Sequence, residues 1–220
     1  MNGMNKTMPS FFALICALSA LPCLALSPVD DAKKDASFYT FRSQLIAAVK
    51  RKDDKYVKSI LSPSVKYGLG GGVGQYEFLR NYQFLRKDST FWNQFSNAIT
   101  HGGNLQTAED GKTLTFNAPS PYFANTNPPA TNEQGVVCDR NVAVMDRPDA
   151  AASKVATLSF DIVQVPSAKP IVEDWMKVIT PDGKTGYVHR AQLILRSDPY
   201  AVFQQDKGQW KLTWFGSASP

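Results

Sequence analysis

The spacing of hydrophobic residues changes character near the middle of the chain. Between residues 37 and 100, apolar side chains recur three or four positions apart in four stretches, which predicts four helices. The predicted helix starts are Ser37, Asp53 or Asp54, Gln75, and Asp88 or Ser89. From residue 135 onward the apolar positions fall in short runs between turn residues, which is typical of β-strands.

The predicted strands are short. Two lie among the helices, at residues 65–67 and 113–116. Those after the change of period lie at residues 136–138, 141–144, 155–158, 162–165, 175–179 and 186–188. Residues 200–203 and 210–215 flank a turn at residues 206–209 and predict a C-terminal β-hairpin. The predicted fold class is therefore α+β, with a helical N-terminal region, a small β-rich unit and a closing hairpin.

The first 25 residues have the pattern of a cleavable export signal. Lys6 is the only charged residue before Asp30, and an apolar run extends from Phe11 to Leu26. We predict cleavage after Ala25, because the second frame with suitable small residues would place Pro28 directly after the cut. The mature protein is then expected in the periplasm or outside the cell.

Two alternatives to a cleaved signal are weaker. Ser19 and Pro22 interrupt the apolar run, which falls short of the roughly 20 residues that a membrane-spanning helix needs. Lipidation at Cys23 would require a small residue before it, and Pro22 stands there. No other stretch is apolar enough to cross a membrane, so we expect no transmembrane segment in the mature chain.

Removal of the signal changes what the composition implies. The formal net charge falls only from +5 to +4, because Lys6 is the sole charge lost. Basic residues are scattered, and an exported chain with this mild charge is not expected to bind nucleic acid. Cys16 and Cys23 leave with the signal, so Cys138 is the remaining thiol and no internal disulfide is expected. Its apolar neighbours favour a buried thiol over a reactive one.

The same patterns divide the chain into predicted domains. The signal peptide at residues 1–25 precedes a helix-rich α+β domain at residues 37–117. Proline and asparagine concentrate in residues 118–134, which predicts a linker. A β-rich domain at residues 135–196 and the hairpin at residues 199–216 follow. The hairpin is a candidate to pack back on the N-terminal domain.

Residues 135 to about 195 resemble a bacterial SH3 domain. The most specific match is a strand, a tight turn and a returning strand, carried by Trp175, Lys177, Val178, Pro181, Asp182, Gly183, Gly186, Tyr187 and Val188. Further matching positions are Val142, Val144, Pro148, Val155, Leu158, Val163, Val165 and Leu193. The resemblance implies a small SH3-like β-barrel. Many members of the family have an arginine where Met145 stands here, so a ligand role for that arginine is not implied.

The N-terminal region resembles proteins with the NTF2-like fold. Two helices, residues 61–67 and a glycine-rich loop at residues 68–74 match the start of that fold, and residues 208–215 match its closing strands. The resemblance implies that the SH3-like domain is inserted in the N-terminal fold. The hairpin would then return to the strand at residues 113–116.

No residue set makes a strong case for catalysis, and no metal or cofactor is predicted. The glycine loop precedes a helix, but it lacks the Lys-Ser/Thr pair and the βαβ context of a phosphate-binding loop, so we interpret it as a turn. Cys138 with His101 or His189 is a candidate nucleophile pair, but no cysteine lies in the mature chain outside the SH3-like part. Two distant histidines give no metal set, and nothing supports Glu77 with Asp88 as a carboxylate pair.

Binding residues are easier to nominate. In the SH3-like region, we predict ligand contacts from Trp175, Tyr187, His189 and Arg190. In the helical region, aromatic residues are concentrated, and core packing is the favoured interpretation. The alternative is a groove for a ligand or partner, with candidate residues Tyr76, Tyr82 and Trp92.

The function that the resemblance and the predicted compartment imply is binding without covalent chemistry. We expect a cell-envelope protein that recognises a peptide, a peptidoglycan fragment or another envelope protein. Two alternatives stay open. One is a periplasmic inhibitor or immunity protein that blocks a partner enzyme, and the other is a cell-wall-processing enzyme. The sequence does not determine the oligomeric state.

Overall fold

The computed structural model describes residues 29–68, 71–86, 88–120, 134–167, 172 and 174–217. Its helices are α1 (Ala36–Lys50), α2 (Asp54–Ile60), α3 (Gln75–Asn81) and α4 (Phe91–Thr100), with 3-10 turns at Asp31–Lys34 and Arg190–Gln192. Its strands are β1 (Leu61–Tyr67), β2 (Gly72–Val73), β3 (Asn104–Thr107), β4 (Leu114–Ala118), β5 (Gln134–Val137), β6 (Val142–Met145), β7 (Lys154–Leu158), β8 (Ile162–Gln164), β9 (Trp175–Ile179), β10 (Thr185–His189), β11 (Leu193–Leu195), β12 (Tyr200–Asp206) and β13 (Gln209–Gly216). The α+β class is confirmed. The predicted signal peptide and most of the predicted linker lie outside the described residues.

Side-chain caps fix where the first two helices begin. Asp35, not the predicted Ser37, caps α1, and its Oδ1 accepts a hydrogen bond from the Phe38 N–H at 2.7 Å. The predicted cap Asp53 is confirmed, since its Oδ1 accepts from the Tyr56 N–H at 3.0 Å. No helix within the described ranges combines the length and the apolar character that crossing a bilayer requires.

Six strands form the first sheet, in the order β2-β1-β13-β12-β4-β3. Helices cover one face of this sheet, and the core between them is rich in aromatic rings. Phe38 of α1 stacks on Phe116 of β4 with ring centroids 4.0 Å apart, and Phe95 of α4 contacts Phe215 of β13 at 5.1 Å. Alternation along β12 places Ala201 and Phe203 in this core and leaves their neighbours on the opposite face.

Seven strands form the second sheet, in the order β11-β5-β8-β9-β10-β6-β7. Residues of all these strands meet in one aliphatic core: Val137, Val142, Val144, Leu158, Val163, Val165, Met176, Val178, Val188, Leu193 and Leu195. Within the part of the chain that is described, the end strands β7 and β11 do not pair with each other. The expectation of a closed β-barrel is therefore wrong, because the ladder stays open between these strands.

Two glycines of the predicted strand–turn–strand segment, Gly183 and Gly186, determine the local geometry of the second sheet. Gly183 has a φ of +82°, in the turn that joins β9 to β10, and Gly is the residue that tolerates this conformation. Gly186 permits a close approach between β10 and β6, since a Cβ there would lie 2.5 Å from the Val144 Cγ1 and 2.7 Å from the Met145 carbonyl oxygen. The absence of a side chain at Gly186 therefore lets β10 lie close to β6.

The second sheet lies, in chain order, between two adjacent strands of the first. β4 ends at Ala118, β12 begins at Tyr200, and the two strands pair antiparallel with Ala201 opposite Ala118. Strand β13 then pairs with β12 as a hairpin and with β1 in parallel. The C-terminal hairpin thus occupies the middle of the first sheet, and it brings Phe203 opposite Phe116.

Candidate ligand-binding groove

A groove lies on the face of the first sheet opposite the helices. Its volume is about 380 Å³, and strands β1, β12 and β13 line it with Ser62, Ser64, Lys66, Tyr200, Val202, Gln204, Thr213 and Trp214. Alternation explains most of these positions, because Leu61 and Val65 of β1 and Ala201 and Phe203 of β12 face the helices. Their neighbours in sequence therefore face the groove.

A β-bulge turns Trp214 toward the groove. Val202 pairs with Trp214 whereas Phe203 pairs with Leu212, so Thr213 is an extra residue in β13. Trp210 and Leu212 face the helices, and strict alternation would put Trp214 on their side. The extra residue reverses the phase, which sends Trp214 to the groove and Phe215 into the core.

Two aromatic rings form the wall of the groove. Tyr200 and Trp214 stack with ring centroids 5.6 Å apart and an interplanar angle of 26°. Burial raises the pKa of Tyr200, so its phenol is neutral around pH 7. The Trp214 Nε1–H is buried and has no hydrogen-bond partner. A buried donor left in this state costs about 1–3 kcal/mol.

Unpaired polar atoms continue in a row across the sheet. Lys66, Trp214, Val202, Asn117 and Asn104 are successive cross-strand partners on β1, β13, β12, β4 and β3. Among the described residues, three buried side-chain polar atoms lack a hydrogen-bond partner, and all lie on this row: Asn104 Oδ1, Asn117 Nδ2 and Trp214 Nε1. Buried polar groups are normally paired, so the concentration of unpaired ones in a single row is unusual.

The polar lining adds one positive charge. Lys66 is exposed and forms no ion pair with any carboxylate of the described ranges. Hydroxyl groups of Ser62 and Ser64 lie on the same strand, and the Gln204 amide lies across the groove. The groove therefore offers an aromatic wall, neutral hydrogen-bonding groups and a cation. That combination suits a polar ligand with an apolar face and an anionic group.

The second sheet brings together three of the residues predicted to contact a ligand. Trp175 on β9 lies directly opposite His189 on β10, and their rings meet edge to face at 5.8 Å. Tyr187 lies two residues earlier on β10, opposite Lys177. All three are half-buried, with part of each side chain at the surface. Their role in ligand binding stays a prediction.

Arg190 is engaged inside the fold. Its Nη1 donates to the Leu193 carbonyl oxygen at 2.6 Å, and its Nη2 donates to Asp198 Oδ1 in an ion pair. Asp198 also accepts from the Leu195 N–H at 2.9 Å, and burial raises the pKa of this carboxyl. The guanidinium therefore holds β11 against the segment that leads to β12.

The three aromatics of the alternative helical groove are separated. Trp92 is only 4% exposed and packs on Phe91, and the Tyr82 hydroxyl donates to the Phe215 carbonyl oxygen at 2.8 Å. Desolvation raises the pKa of Tyr82, as expected for a phenol at the edge of a core. Tyr76, by contrast, is 74% exposed. Tyr82 and Trp92 thus belong to the packing of the first core.

The structure brings His101, one of the two histidines considered as partners of Cys138, close to that thiol. The ligating atoms of His101, Cys138 and Asp139 all lie within 4.8 Å of one another. The thiol is buried, and desolvation, with the nearby Asp139 charge, raises the pKa of Cys138 to about 12. A nucleophilic cysteine needs the opposite shift, toward the thiolate. Sequence spacing concealed this cluster, because 37 positions separate His101 from Cys138.

Comparisons with known protein families, curated proteins and solved structures do not identify a family for this chain. No protein-family model matches the chain, and no curated protein matches it. Solved structures that match include a designed NTF2-like protein whose title reads Rd1NTF2_05 followed by five substitutions. It has 9% sequence identity and a TM-score of 0.30, over 81% of this chain and 93% of that chain. A likeness at this level carries no argument about fold or function.

Proposed function

We propose that the protein is an exported, non-catalytic cell-envelope protein that binds a peptidoglycan fragment in the groove of the first sheet. The observation that carries this proposal is the buried, unpaired Nε1–H of Trp214 beside the Tyr200 ring. The export signal predicted at residues 1–25 supplies the compartment.

The groove suits the chemistry of such a fragment. The apolar face of an amino sugar packs against an aromatic ring, as the Tyr200–Trp214 wall allows. Ligand binding would have to expose the buried Trp214 Nε1–H, which would then donate to an N-acetyl carbonyl of the fragment. Peptide carboxylates of the fragment would meet the ammonium of Lys66, which lies next to Trp214 on the neighbouring strand β1.

We further propose that the second sheet is a diverged SH3-like domain. Support comes from the positions of the resemblance, since Val142, Val144, Val163, Val178 and Val188 all lie in one core. The close approach at Gly186 also agrees with the role expected of that glycine. The open ladder departs from a closed barrel, so the proposal rests on core positions and strand sequence.

The raised pKa of Cys138 supports binding over cell-wall processing by a cysteine nucleophile. At neutral pH the thiol stays protonated, and its Sγ–H points to the Ala191 carbonyl oxygen at 3.6 Å.

Co-sedimentation with purified sacculi tests the proposal, followed by titration of a soluble disaccharide-peptide fragment with tryptophan fluorescence. Trp214→Phe keeps a ring but removes the N–H donor, and we expect about five- to tenfold weaker binding, the effect of one hydrogen bond. Trp175→Phe tests the competing prediction that the second sheet holds the ligand, and it should leave affinity unchanged if the groove of the first sheet is the site. Failure of the wild-type protein to sediment with sacculi or to bind the fragment would overturn the proposal. Loss of binding in Trp175→Phe alone would move the site to the second sheet.

One observation favours a partner protein as the second candidate. Tyr76 is 74% exposed and Leu85 is 75% exposed, both on the segment around α3. Large apolar side chains in this state suit a protein interface, as an inhibitor of an envelope enzyme would need. A stoichiometric complex recovered from periplasmic extract, lost in Tyr76→Ser and Leu85→Ser together, would favour this function over peptidoglycan binding.

A further inference from the structure

Three side chains of different ligand classes converge where the two sheets meet. His101 follows the end of α4, next to the first sheet, and Cys138 and Asp139 follow the end of β5 in the second sheet. The imidazole nitrogen, the thiol sulfur and a carboxylate oxygen all lie within 4.8 Å of one another. The three groups come from distant parts of the chain, so the fold and not local sequence assembles them.

The imidazole of His101 is held in the tautomer that a metal ligand needs. Its Nδ1 lies 2.8 Å from the Asn97 carbonyl oxygen. A carbonyl oxygen only accepts, so in the neutral imidazole Nδ1 carries the proton and Nε2 has the lone pair. Metal-bound histidines usually have this second hydrogen bond, which orients the ring and raises its basicity. The backbone is fixed as well, since the Ser120 N–H donates to the His101 carbonyl oxygen at 3.1 Å.

Cys138 is also fixed in place. Its backbone N–H donates to the Gln192 carbonyl oxygen at 3.0 Å, next to the β5–β11 ladder. The sulfur is mostly enclosed, whereas Asp139 is exposed and adjustable. A cluster with two anchored ligands and one mobile carboxylate can contract around an ion without unfolding either sheet.

We propose that His101 Nε2, Cys138 Sγ and the Asp139 carboxylate bind a zinc ion, with the fourth position open to water or a ligand. The donor set selects this class of metal, because nitrogen and sulfur ligands favour zinc whereas calcium and magnesium require oxygen. Ligands of a tetrahedral zinc site lie about 3.3–3.8 Å apart, so atoms that lie up to 4.8 Å apart have to approach by about 1.5 Å at most.

The ion would link the two sheets. Residues of both sides supply ligands, so binding fixes the second sheet relative to α4 and the first sheet. The high pKa of the metal-free thiol does not oppose this, because a coordinated thiol is deprotonated by the ion itself. The proposal is independent of the groove, which lies on strands β1, β12 and β13.

Cobalt substitution tests the site in the mature, reduced, chelator-treated protein. Co²⁺ reports thiolate ligation through a sulfur-to-metal charge-transfer band and tetrahedral geometry through its visible absorption. We expect both signals to saturate near one equivalent, and Zn²⁺ to displace Co²⁺. Cys138→Ser should abolish the charge-transfer band, and Asp139→Asn and His101→Gln should each weaken binding at least about tenfold, as loss of a ligand does. His189→Gln is the matched control and should bind as the wild type does.

A second measurement needs no variant. Zn²⁺ should slow alkylation of Cys138 in the native wild-type protein at least about tenfold, because the coordinated sulfur is no longer free to react. Absence of both the cobalt band and this protection overturns the proposal. Binding that survives Cys138→Ser, or that is lost in His189→Gln, places the ion elsewhere and overturns it too.

Discussion

The two sheets bury different kinds of side chain. The first core is built from rings on both of its layers, among them Phe38, Phe78, Phe84, Phe91, Trp92, Phe95, Phe116, Phe203, Trp210 and Phe215. The described members of the second core are valine, leucine and methionine. A helix layer on a sheet leaves a wide gap that rings fill, whereas a sheet that curves around its own inner face leaves room for short side chains.

This difference gives the two regions different weak points. In the first sheet each ring contacts several others, so removal of one leaves a large cavity shared by helices and strands. In the second sheet the strands approach so closely that an added methyl group has no space, as Gly186 shows. The first region should therefore lose most when a ring is deleted. Close approaches occur in both regions, since a Cβ at Gly103 of the first would lie 2.4 Å from the Asn117 carbonyl oxygen, and Gly186 tests the one in the second.

The largest expected effect follows from removal of a central ring. Phe91 is fully buried, with neighbouring ring centroids at 4.9 Å for Phe84 and 5.1 Å for Phe95. We expect Phe91→Ala to lower the free energy of unfolding by about 3–5 kcal/mol. Hydrogen exchange read by mass spectrometry should show faster exchange in α4, β12 and β13 and little change in β9 and β10.

Met176→Ala is the counterpart in the second core. Met176 is fully buried, and its truncation should cost about 2–5 kcal/mol and accelerate exchange in β9 and β10. If each variant accelerates exchange equally in both sheets, the two regions unfold as one cooperative unit and the comparison fails.

An inserted methyl group has the next largest effect. Gly186→Ala would place a Cβ 2.5 Å from the Val144 Cγ1, and we expect the free energy of unfolding to fall by about 1–3 kcal/mol. Urea denaturation of this variant, of Val144→Ala and of the double variant completes a cycle. The double variant should be more stable than the sum of the two losses predicts, because the clash with the Val144 Cγ1 is gone, whereas the one with the Met145 carbonyl oxygen at 2.7 Å is present in both Gly186→Ala variants. If the two losses of unfolding free energy simply add, the contact with Val144 is not what destabilises Gly186→Ala.

Local signals in the sequence predict the four helices and both the β9–β10 and the β12–β13 hairpins. Two predicted helix starts are wrong, because Asp35 caps α1 and Thr90, not Asp88 or Ser89, precedes α4. The Asp53 cap and the strand Trp175–Ile179 fall where the pattern predicts them, and Gly183 has the positive φ that the turn requires. Each depends on residues close in sequence. Asp35 was missed as a cap because Ser37, two residues later, is an equally good candidate by type.

The groove depends on a feature that periodicity misreads. Trp210, Leu212 and Trp214 alternate perfectly in sequence and suggest one buried face, whereas the bulge at Thr213 sends Trp214 to the other side. The adjacent aromatic pair Trp214-Phe215 was the available sign of a phase change. The cluster of His101 with Cys138 had no local sign, since it forms only when the second sheet docks beside α4.

The cap of α1 offers the mildest test, confined to the first region. The Ser37 hydroxyl and the Phe38 N–H both donate to the Asp35 carboxylate, and they lower the pKa of that carboxyl below its usual 3.8. The folded protein therefore keeps Asp35 ionised at a pH where the unfolded chain takes up a proton. Its contribution to stability is complete above pH 3.8 and is lost as the pH falls through the lower, folded-state pKa.

We expect Asp35→Ala to lower the free energy of unfolding by about 1 kcal/mol at pH 7, the usual cost of losing such a cap. The difference from wild type should shrink as the pH falls below 3.8, because the unfolded wild-type chain then takes up a proton at Asp35, and the folded protein does so only below its lower pKa. Urea denaturation across this pH range measures both. Asp35→Asn keeps a capping oxygen without a charge, so its smaller loss should vary less with pH. If the difference in the free energy of unfolding between Asp35→Ala and wild type does not change with pH, the cap acts through its hydrogen bonds and not through its charge. Faster hydrogen exchange in α1 alone would still place the effect of the cap in the first region.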